Sequence, residues 1–321
     1  MSEQLGIIGL GKIGGNLAKQ AVEKDIEVVG KDPNDKPELE EKGVTKVESY
    51  ENFVEELDSP RVIYLSLPAG ETIDKVIEDL DSHLEEGDVL MDGGNSFYRD
   101  SLRRHEEIAD REYDFIDCGT SGGWTGARNG ACFMVGGEEH AVNKAAPILE
   151  KLSVEGGFLH VGEPGTGHFV KLVHNGIEFG MLQAIGEGME LLKDGADGDF
   201  DLDDDQLADL FHNWSNGSVI RSWLIELMEE GLRDDDNPEF EEIPNYIEDT
   251  GEVNWLVQEA INSETPIPVI SQSVMELFKS RGEQKEAYKA IALMRHGFGG
   301  HPFGEDDYIE KERDTSRIDR I

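Results

Sequence analysis

LGIIGLGKIGGNLAKQAVEK, residues 5–24, joins an apolar run to a glycine-rich turn and then to a helical pattern. The run Leu5–Gly11 predicts a buried strand that leads directly into a G-x-G-x-x-G motif. That motif is formed by Gly9, Leu10, Gly11, Lys12, Ile13 and Gly14. Its position between a strand and a helix is what a dinucleotide-binding turn requires, because the backbone must approach a pyrophosphate closely and a helix N-terminus attracts its charge. A tight turn that binds no ligand is the alternative.

Further apolar runs separated by helical segments continue this pattern through the first half of the chain. They are Ile26–Asp32, Arg61–Pro68, Asp88–Asn95, Tyr113–Thr120, Ala131–Gly137 and Gly157–Gly162. Strands that alternate with helices indicate βαβ units and a largely parallel, doubly wound sheet. After the glycine-rich joint Gly162–Gly167, the pattern is helical from Phe169 to about Met294. The sequence therefore predicts an α/β Rossmann-type dinucleotide-binding domain over residues 1–165, followed by an all-α domain over residues 166–321.

The end of the second predicted strand indicates which dinucleotide binds. Asp32 lies 18 residues after Gly14, where an acidic side chain can hydrogen-bond to the adenosine ribose hydroxyls and would repel a 2′-phosphate. Pro33 and Asn34 follow, where NADP would need a basic residue, although Lys31 is adjacent. We therefore expect NAD in preference to NADP. Further candidates for cofactor contact, at the end of the strand predicted over Arg61–Pro68, are Leu67, Pro68 and Ala69.

The net charge is extreme: 70 acidic residues against 29 basic ones give a formal charge of −41. Such a field repels nucleic acid, anionic lipid and also an anionic substrate. Global disorder is the alternative that this charge raises, but apolar periodicity persists along most of the chain. We therefore expect an acidic, strongly hydrated surface adapted to high salt, since a Debye length of ~3 Å near 1 M screens the self-repulsion.

Several protein classes are excluded by what the sequence does not contain. No run approaches the ~18 apolar residues of a membrane helix, and no charged-then-apolar leader precedes the first strand, so we expect a soluble, cytoplasmic protein. Cys118 and Cys132 lie in apolar, strand-like surroundings, which predicts buried, reduced thiols rather than a disulfide or a metal site.

Two acidic segments are predicted as solvated loops. In Asp194–Gln206 a calcium loop would begin at Asp197, but its sixth position is Leu202 rather than glycine and its twelfth is Ala208 rather than glutamate. We therefore expect no metal there. The segment Arg233–Gly251 is also expected to be irregular.

Two loops that follow predicted strands are candidates for substrate contact. Asn95, in DGGNS, lies just past a strand of the dinucleotide-binding half, where ligands of open α/β sheets bind; an ordinary Gly-Asn turn is the alternative. Ser121, Gly122 and Gly123 offer a hydroxyl and open backbone N–H groups that suit a carboxylate. A flexible glycine-rich loop is the alternative there.

A polar stripe interrupts the apolar pattern of VKLVHNGIEFG, residues 170–180. Its members Lys171, His174, Asn175 and Glu178 are spaced i, i+3, i+4 and i+7, so they project from one face of a helix. A surface helix with its charged face in water is the alternative. The position of this stripe directly after the domain joint favours a cleft, where partial burial can make a lysine a base near neutral pH.

Together these motifs resemble the shorter form of the decarboxylating 6-phosphogluconate dehydrogenases. The resemblance covers nearly the whole chain and rests on GLGKIGGNLA, DGGNS, GTSGGWTGARNGACFMVGG, GTGHFVKLVHNGIEFGMLQAIGEG and the tail RHGFGGH. Non-decarboxylating 3-hydroxyacid dehydrogenases share the Rossmann half and the S-G-G loop, but they lack both the K-x-x-H-N-G-I-E run and the tail.

The resemblance implies oxidation and decarboxylation of 6-phosphogluconate to ribulose 5-phosphate. Lys171 then takes the proton of the 3-hydroxyl and later returns a proton to that oxygen, while Glu178 protonates the carbon that becomes C1 of ribulose 5-phosphate. The groups implied to hold the substrate are Asn95, Ser121, Gly122, Gly123, His174, Asn175, Arg295 and His301, with Asn95 also touching the cofactor. In longer members the tail comes from the partner subunit, which implies a homodimer or a higher homo-oligomer.

The sequence departs from the family pattern where the substrate phosphate binds. Phe179 stands where many members have a tyrosine, while Asn254 and Leu256 replace a basic residue and a threonine. Arg281 is then the best further candidate for the phosphate beside Arg295. Two other functions stay open at this stage: an NAD-dependent 3-hydroxyacid dehydrogenase that does not decarboxylate, and a catalytically silent NAD-binding sensor.

Overall fold

The computed structural model describes residues 3–198, 202–238, 240–281 and 286–315. The chain divides into two compact units, Met1–Val173 and His174–Ile321. Helix α8, Thr166–Gly198, belongs to both units. The joint predicted near Gly165 therefore marks the beginning of this helix, and the limit between the units lies further along it.

The first unit is built on an eight-stranded sheet. Its strands are β1 Gln4–Ile8, β2 Glu27–Lys31, β3 Thr45–Val47, β4 Val62–Leu65, β5 Val89–Asp92, β6 Asp114–Ser121, β7 Ala131–Gly136 and β8 Ser153–Gly162. Their order in the sheet is β3-β2-β1-β4-β5-β6-β7-β8. Neighbouring strands are parallel except for the antiparallel pair β6 and β7. The predicted doubly wound sheet is confirmed.

Helices cover both faces of this sheet. They are α1 Lys12–Glu23, α2 Pro37–Glu40, α3 Tyr50–Glu55, α4 Glu71–Leu80, α5 Tyr98–Ile108, α6 Gly123–Asn129 and α7 Glu139–Leu152. One buried cluster joins α1, α6 and α7 to the strands, and a second joins α3, α4 and α5 to them. Every residue of β4 and β5 is consequently buried, which explains their continuous apolar runs.

The second unit is helical. After the remainder of α8 it contains α9 Asp204–Ser215, α10 Trp223–Arg233, α11 Glu252–Asn262, α12 Pro268–Ser280, α13 Glu286–Gly299 and α14 Asp307–Thr315, with a 3₁₀ turn at Phe240–Glu242. Among its described residues there is no strand, so the predicted all-α second half is confirmed. None of the described helices is both long enough and apolar enough to cross a bilayer.

One strand was not predicted, and two local predictions were wrong. Strand β3 was missed because it is a three-residue edge strand without a buried residue. The acidic segment Asp194–Gln206 was predicted as a loop, but α8 continues through Gly198, and α9 begins at Asp204 after a capping box at Asp203. Cys118 is buried as expected, but the side chain of Cys132 is exposed, because alternate residues of a strand face opposite sides.

Candidate active site

The glycine-rich turn connects β1 to α1 in the geometry that the motif predicts. Gly9 has φ of +93°, and a Cβ on it would lie 2.2 Å from the carbonyl oxygen of Ser66. A Cβ on Gly14 would lie 2.0 Å from the carbonyl oxygen of Gly9. Gly11 differs, since a Cβ there would meet no atom within 4 Å. The fold therefore requires glycine at positions 9 and 14, whereas glycine at position 11 suits a ligand that approaches the backbone.

The N-terminus of α1 is suited to a pyrophosphate. Gly11 is its N-cap residue, provides no side-chain cap, and is followed by a first turn without acidic residues. The backbone N–H groups of this turn are the usual donors to a bound anion. With the open side of Gly11, this arrangement fits the diphosphate of a dinucleotide.

Asp32 is fixed beside this turn. Its Oδ2 accepts the backbone N–H of Leu10 at 2.8 Å, and its Oδ1 accepts that of Asn34 at 2.9 Å. Burial acts to raise the pKa of Asp32, but these donors and the ammonium of Lys36 outweigh it and lower the pKa below its ordinary value. The side chain is therefore a carboxylate at neutral pH. Lys31 places its ammonium 4.3 Å from the ring centroid of Tyr50, in a cation–π contact.

The loops that follow β4, β5 and β6 lie side by side, because these strands are parallel neighbours. Leu67 lies against the DGGNS turn, since a Cβ on Gly94 would be 2.8 Å from its carbonyl oxygen. The hydroxyl of Tyr64 donates to the carbonyl oxygen of Gly93 at 3.1 Å and lies 2.7 Å from the hydroxyl of Thr120. The segments containing Asn95 and Ser121 are thus tied together through one tyrosine.

A buried ion network supports the DGGNS turn. The two carboxylate oxygens of Asp92 accept the backbone N–H of Gly94 at 3.0 Å and the hydroxyl of Ser96 at 2.8 Å. Arg104, which is 1% exposed, donates to Asp92 at 3.2 Å and to Asp74 at 2.7 Å. Asp92, Arg104 and Asp74 were not predicted as site residues from the sequence, although an aspartate that ends an apolar run, as Asp92 does, was a usable signal.

Lys171 lies close to β6. A Cβ on Gly119 would be 2.5 Å from the Cβ of Lys171, so the helix backbone and the strand are in close contact at this point. Lys171 itself is half-buried. Two residues after Gly119, β6 ends at Ser121, and Gly122 with φ of +107° begins the turn into α6. The first unit thus brings Lys171 near the strand that ends in the S-G-G loop.

The other members of the polar stripe lie in the second unit on the same helix. His174 Nδ1 is 3.3 Å from Oδ1 of Asn175 and 4.0 Å from Oε2 of Glu178. Asn175 is buried, and His174 and Glu178 are half-buried. In contrast, Val170, Ile177 and Met181 are exposed. The buried face of this part of α8 also carries Leu172, Phe179 and Leu182, so the polar stripe lies between the buried face and the exposed apolar residues.

The residues expected near the substrate phosphate meet within the second unit. The guanidinium carbon of Arg295 lies 5.5 Å from the ring centroid of Phe179, and its Nη2 donates to the carbonyl oxygen of Glu248 at 3.2 Å. Arg281 Nη2 lies 3.3 Å from Asp249 and 3.8 Å from Glu248. Arg281 is thus paired with two buried carboxylates that were not predicted from the sequence, whereas the bond from Arg295 goes to a backbone carbonyl oxygen.

Two other predicted positions are also found in this unit. A Cβ on Gly176 would lie 2.2 Å from Cδ2 of Leu256, so this leucine packs on α8. His301 follows α13, where its carbonyl oxygen lies 2.8 Å from His296 Nδ1 and its ring is 5.7 Å from that of Phe298. Among the described residues, no group of three or more histidine, cysteine or acidic side chains is arranged to hold a metal.

Comparison with known proteins identifies the family. A family model described as the NAD binding domain of 6-phosphogluconate dehydrogenase matches residues 4–162, and one described as the C-terminal domain of 6-phosphogluconate dehydrogenase matches residues 167–314. The chain belongs to the 6-phosphogluconate dehydrogenase family. It is 38% identical over 307 residues to the NAD(+)-dependent, decarboxylating 6-phosphogluconate dehydrogenase of Haloferax volcanii, covering 95% of this chain and 99% of the relative.

Solved structures agree with this family assignment. The 6-phosphogluconate dehydrogenase of Plasmodium falciparum, known with NADP+ and with 6-phosphogluconate, aligns with a TM-score of 0.77 at 27% identity and covers 98% of this chain and 69% of that one. The 3-hydroxyisobutyrate dehydrogenase of Mycobacterium tuberculosis aligns with a TM-score of 0.67 at 20% identity, covering 92% of this chain and 100% of that one. The latter likeness is one of fold alone.

Proposed function

We propose that this protein oxidises and decarboxylates 6-phosphogluconate to ribulose 5-phosphate with NAD. The proposal rests mainly on one observation. The glycine-rich turn follows β1, the DGGNS turn follows β5 and the S-G-G loop follows β6, and the carboxyl ends of these strands lie at one edge of the sheet. Lys171 packs on β6. Ligands of doubly wound sheets bind at this edge, where the strand order reverses between β1 and β4. Bound NAD would supply the hydride acceptor.

Lys171 is proposed as the base that takes the proton of the substrate 3-hydroxyl. Loss of this proton allows C3 to give up hydride and become a ketone, which then accepts the electrons that decarboxylation releases. The protonated lysine would return its proton to the same oxygen and stabilise the enediol. The close approach of the Lys171 Cβ to Gly119 fixes where the side chain leaves α8, which helps to place its ammonium at one atom.

Glu178 is proposed to protonate C2 of the substrate, which becomes C1 of ribulose 5-phosphate, after CO2 has left. It lies on the same face of α8 as Lys171, and His174 Nδ1 lies 4.0 Å from its carboxylate. His174 and Asn175 are proposed to hold substrate hydroxyls, and Ser121, Gly122 and Gly123 the carboxylate. Asn95 would contact both substrate and cofactor.

Arg281 and Arg295 are proposed to bind the substrate phosphate, with His301 holding a hydroxyl. The carboxylates of Glu248 and Asp249 lie 3.8 and 3.3 Å from Arg281 and offset its charge, so the two arginines attract a dianion less strongly than two isolated arginines would. We therefore expect the KM for 6-phosphogluconate to vary strongly with salt, because salt screens the −41 charge of the chain. The same charge supports adaptation to high salt, and the family assignment supports a cytoplasmic enzyme.

A homodimer or a higher homo-oligomer is also proposed. Val170, Ile177 and Met181 recur at i, i+7 and i+11 on α8 and expose apolar side chains in one row. A contiguous apolar row on a strongly charged protein is a feature of protein–protein interfaces. The tail gives no independent support, since Arg295 contacts Phe179 of its own chain.

The alternatives are separated by one assay at high salt. Purified protein is supplied with 6-phosphogluconate and either NAD or NADP, and CO2 and reduced cofactor are measured together. Release of CO2 with NADH supports the proposal, whereas NADH without CO2 would indicate a simple 3-hydroxyacid dehydrogenase. NAD binding without turnover of any 3-hydroxyacid would indicate a sensor.

A further inference from the structure

Asp117 is a buried carboxylate that has no part in the reaction proposed above. It is 1% exposed and lies within β6, where it pairs in register with Asp92 of β5 and Gly136 of β7. Its Oδ1 accepts the backbone N–H of Gly165 at 2.6 Å, and its Oδ2 accepts that of His168 at 2.7 Å. These two bonds attach the beginning of α8 to the sheet.

Other contacts hold the same turn of α8. A Cβ on Gly167 would lie 2.5 Å from the carbonyl oxygen of Asp117 and 2.6 Å from that of Met134, so the helix rests directly on β6 and β7. Nδ1 of His168 lies 2.7 Å from the hydroxyl of Ser101 in α5. The first turn of α8 is thus bound to three elements of the first unit.

Burial of Asp117 is costly for its charged form. Burial raises the pKa of this carboxyl, while the His168 ring and the two backbone N–H donors act in the opposite direction. A buried carboxyl is tolerated where hydrogen bonds replace its hydration. An aspartate also suits this place better than an asparagine, because both of its oxygens can accept an N–H, whereas an amide has only one acceptor.

The same strand also faces the proposed base. β6 therefore meets α8 at two successive places: Asp117 contacts His168, and Gly119, two residues later, lies against Lys171, three residues after His168. A Cβ on Gly119 would lie 2.5 Å from the Cβ of Lys171. Any shift of the first turn of α8 would therefore move Lys171 along or away from β6.

We propose that β6 positions Lys171 through two residues: Asp117 holds the beginning of α8, and Gly119 allows the lysine to approach the strand. Both are positioning residues, and the inference rests on the proposed role of Lys171 as the base. Small displacements of a reacting group are expensive, since about 1 Å can cost on the order of 100-fold in rate. The expected effect is therefore on kcat, with cofactor binding preserved.

The test compares Asp117→Asn with a matched control, Asp88→Asn. Asp88 is 0% exposed and also accepts two backbone N–H groups, from Arg61 at 2.7 Å and Glu85 at 3.1 Å, but it precedes β5 at the opposite edge of the sheet. Both variants should lower the Tm. Only Asp117→Asn should lower kcat, by about 10- to 100-fold, while the Kd for NAD and the KM for substrate change little.

Hydrogen exchange gives a readout that is independent of activity. The backbone amides of Gly165 and His168 should exchange faster in Asp117→Asn than in Asp88→Asn, because they lose their buried acceptors. A kcat equal to that of the control, or unchanged exchange in this turn, would overturn the inference.

Gly119→Ala tests the same inference by adding a Cβ against Lys171, and it replaces Asp117→Asn if that variant fails to fold. It should lower kcat and leave the Kd for NAD unchanged, and full activity would overturn the inference. Lys171→Ala separates the two proposals. If it retains turnover, the proposed function of Lys171 is wrong. If it is inactive while Asp117→Asn equals its control, only the positioning inference fails.

Discussion

Replacing Asp32 with asparagine should shift the coenzyme preference from NAD towards NADP. The change keeps the size of the side chain and removes its charge. In the structure both carboxylate oxygens accept backbone N–H groups, from Leu10 at 2.8 Å and Asn34 at 2.9 Å, so the side chain is held in place beside the glycine-rich turn. Its lowered pKa keeps it charged at neutral pH, where it would repel the 2′-phosphate of NADP.

The magnitude follows from two effects. A single negative charge about 5 Å from a phosphate dianion costs about 3 kcal/mol at an effective dielectric constant of about 40. Loss of charge on the acceptor of a ribose hydroxyl weakens NAD binding by about 1 kcal/mol. Together these predict a change of about 4 kcal/mol, or about 1,000-fold, in the ratio of kcat/KM for NAD to that for NADP.

The assay is a comparison of kcat/KM for both coenzymes at saturating 6-phosphogluconate and fixed salt. The shift should be larger at the lowest salt that keeps the protein folded, because salt screens the repulsion. The Asp32→Asn change also leaves one backbone N–H facing an amide donor, so the Tm should fall by several degrees. A ratio that stays within about 3-fold of the unaltered protein would refute the assignment of Asp32 as the residue that selects NAD.

Three further changes test the glycine-rich turn, the phosphate site and the buried ion network. Gly11→Ala should leave the Tm unchanged but weaken NAD binding more than about 10-fold. Gly14→Ala should instead lower the Tm, because a Cβ at position 14 would lie 2.0 Å from a backbone oxygen, whereas one at position 11 would meet no atom within 4 Å. Equal Tm values for the two variants would contradict this. Phe179→Tyr should lower the KM for 6-phosphogluconate by up to about 10-fold through one added hydrogen bond to phosphate, and a KM that rises would place the phosphate elsewhere. Burial acts to raise the pKa of Asp74, but Arg104 and Arg103 outweigh it and lower the pKa. The carboxylate therefore stabilises the fold above the unfolded pKa of about 4, and this stabilisation is lost as pH falls through the folded value. The free energy of unfolding, measured with urea from pH 7 to pH 3, should consequently depend less on pH in Asp74→Asn.

The dinucleotide-binding unit was predictable because its signals are local. A strand, a glycine-rich turn and a helix are adjacent in residues 5–24, and the period of apolar residues changes visibly between strand and helix. Strand β3 was not predictable in this way, because its three residues are partly or fully exposed at the edge of the sheet. The helical continuation of α8 through Asp194–Gly198 was missed because glycine and aspartate normally favour loops.

The supporting residues of the site were missed for a different reason. Asp117 and Arg104 act through partners far away in sequence, at Gly165 and Asp74. Arg281 likewise meets Asp249, and nothing in the local pattern of either segment pairs them. An aspartate inside an apolar strand, as in DFIDCGT, is the one sequence signal that could have directed attention to Asp117.

The most direct test of the central claim uses 6-phosphogluconate labelled with ¹³C at C1, with the purified protein and its Lys171→Ala variant at high salt. The unaltered protein should release one labelled CO2 for each NADH. The variant should form neither product, with the Kd for NAD nearly unchanged. NADH without labelled CO2, or turnover that persists in Lys171→Ala, would contradict it.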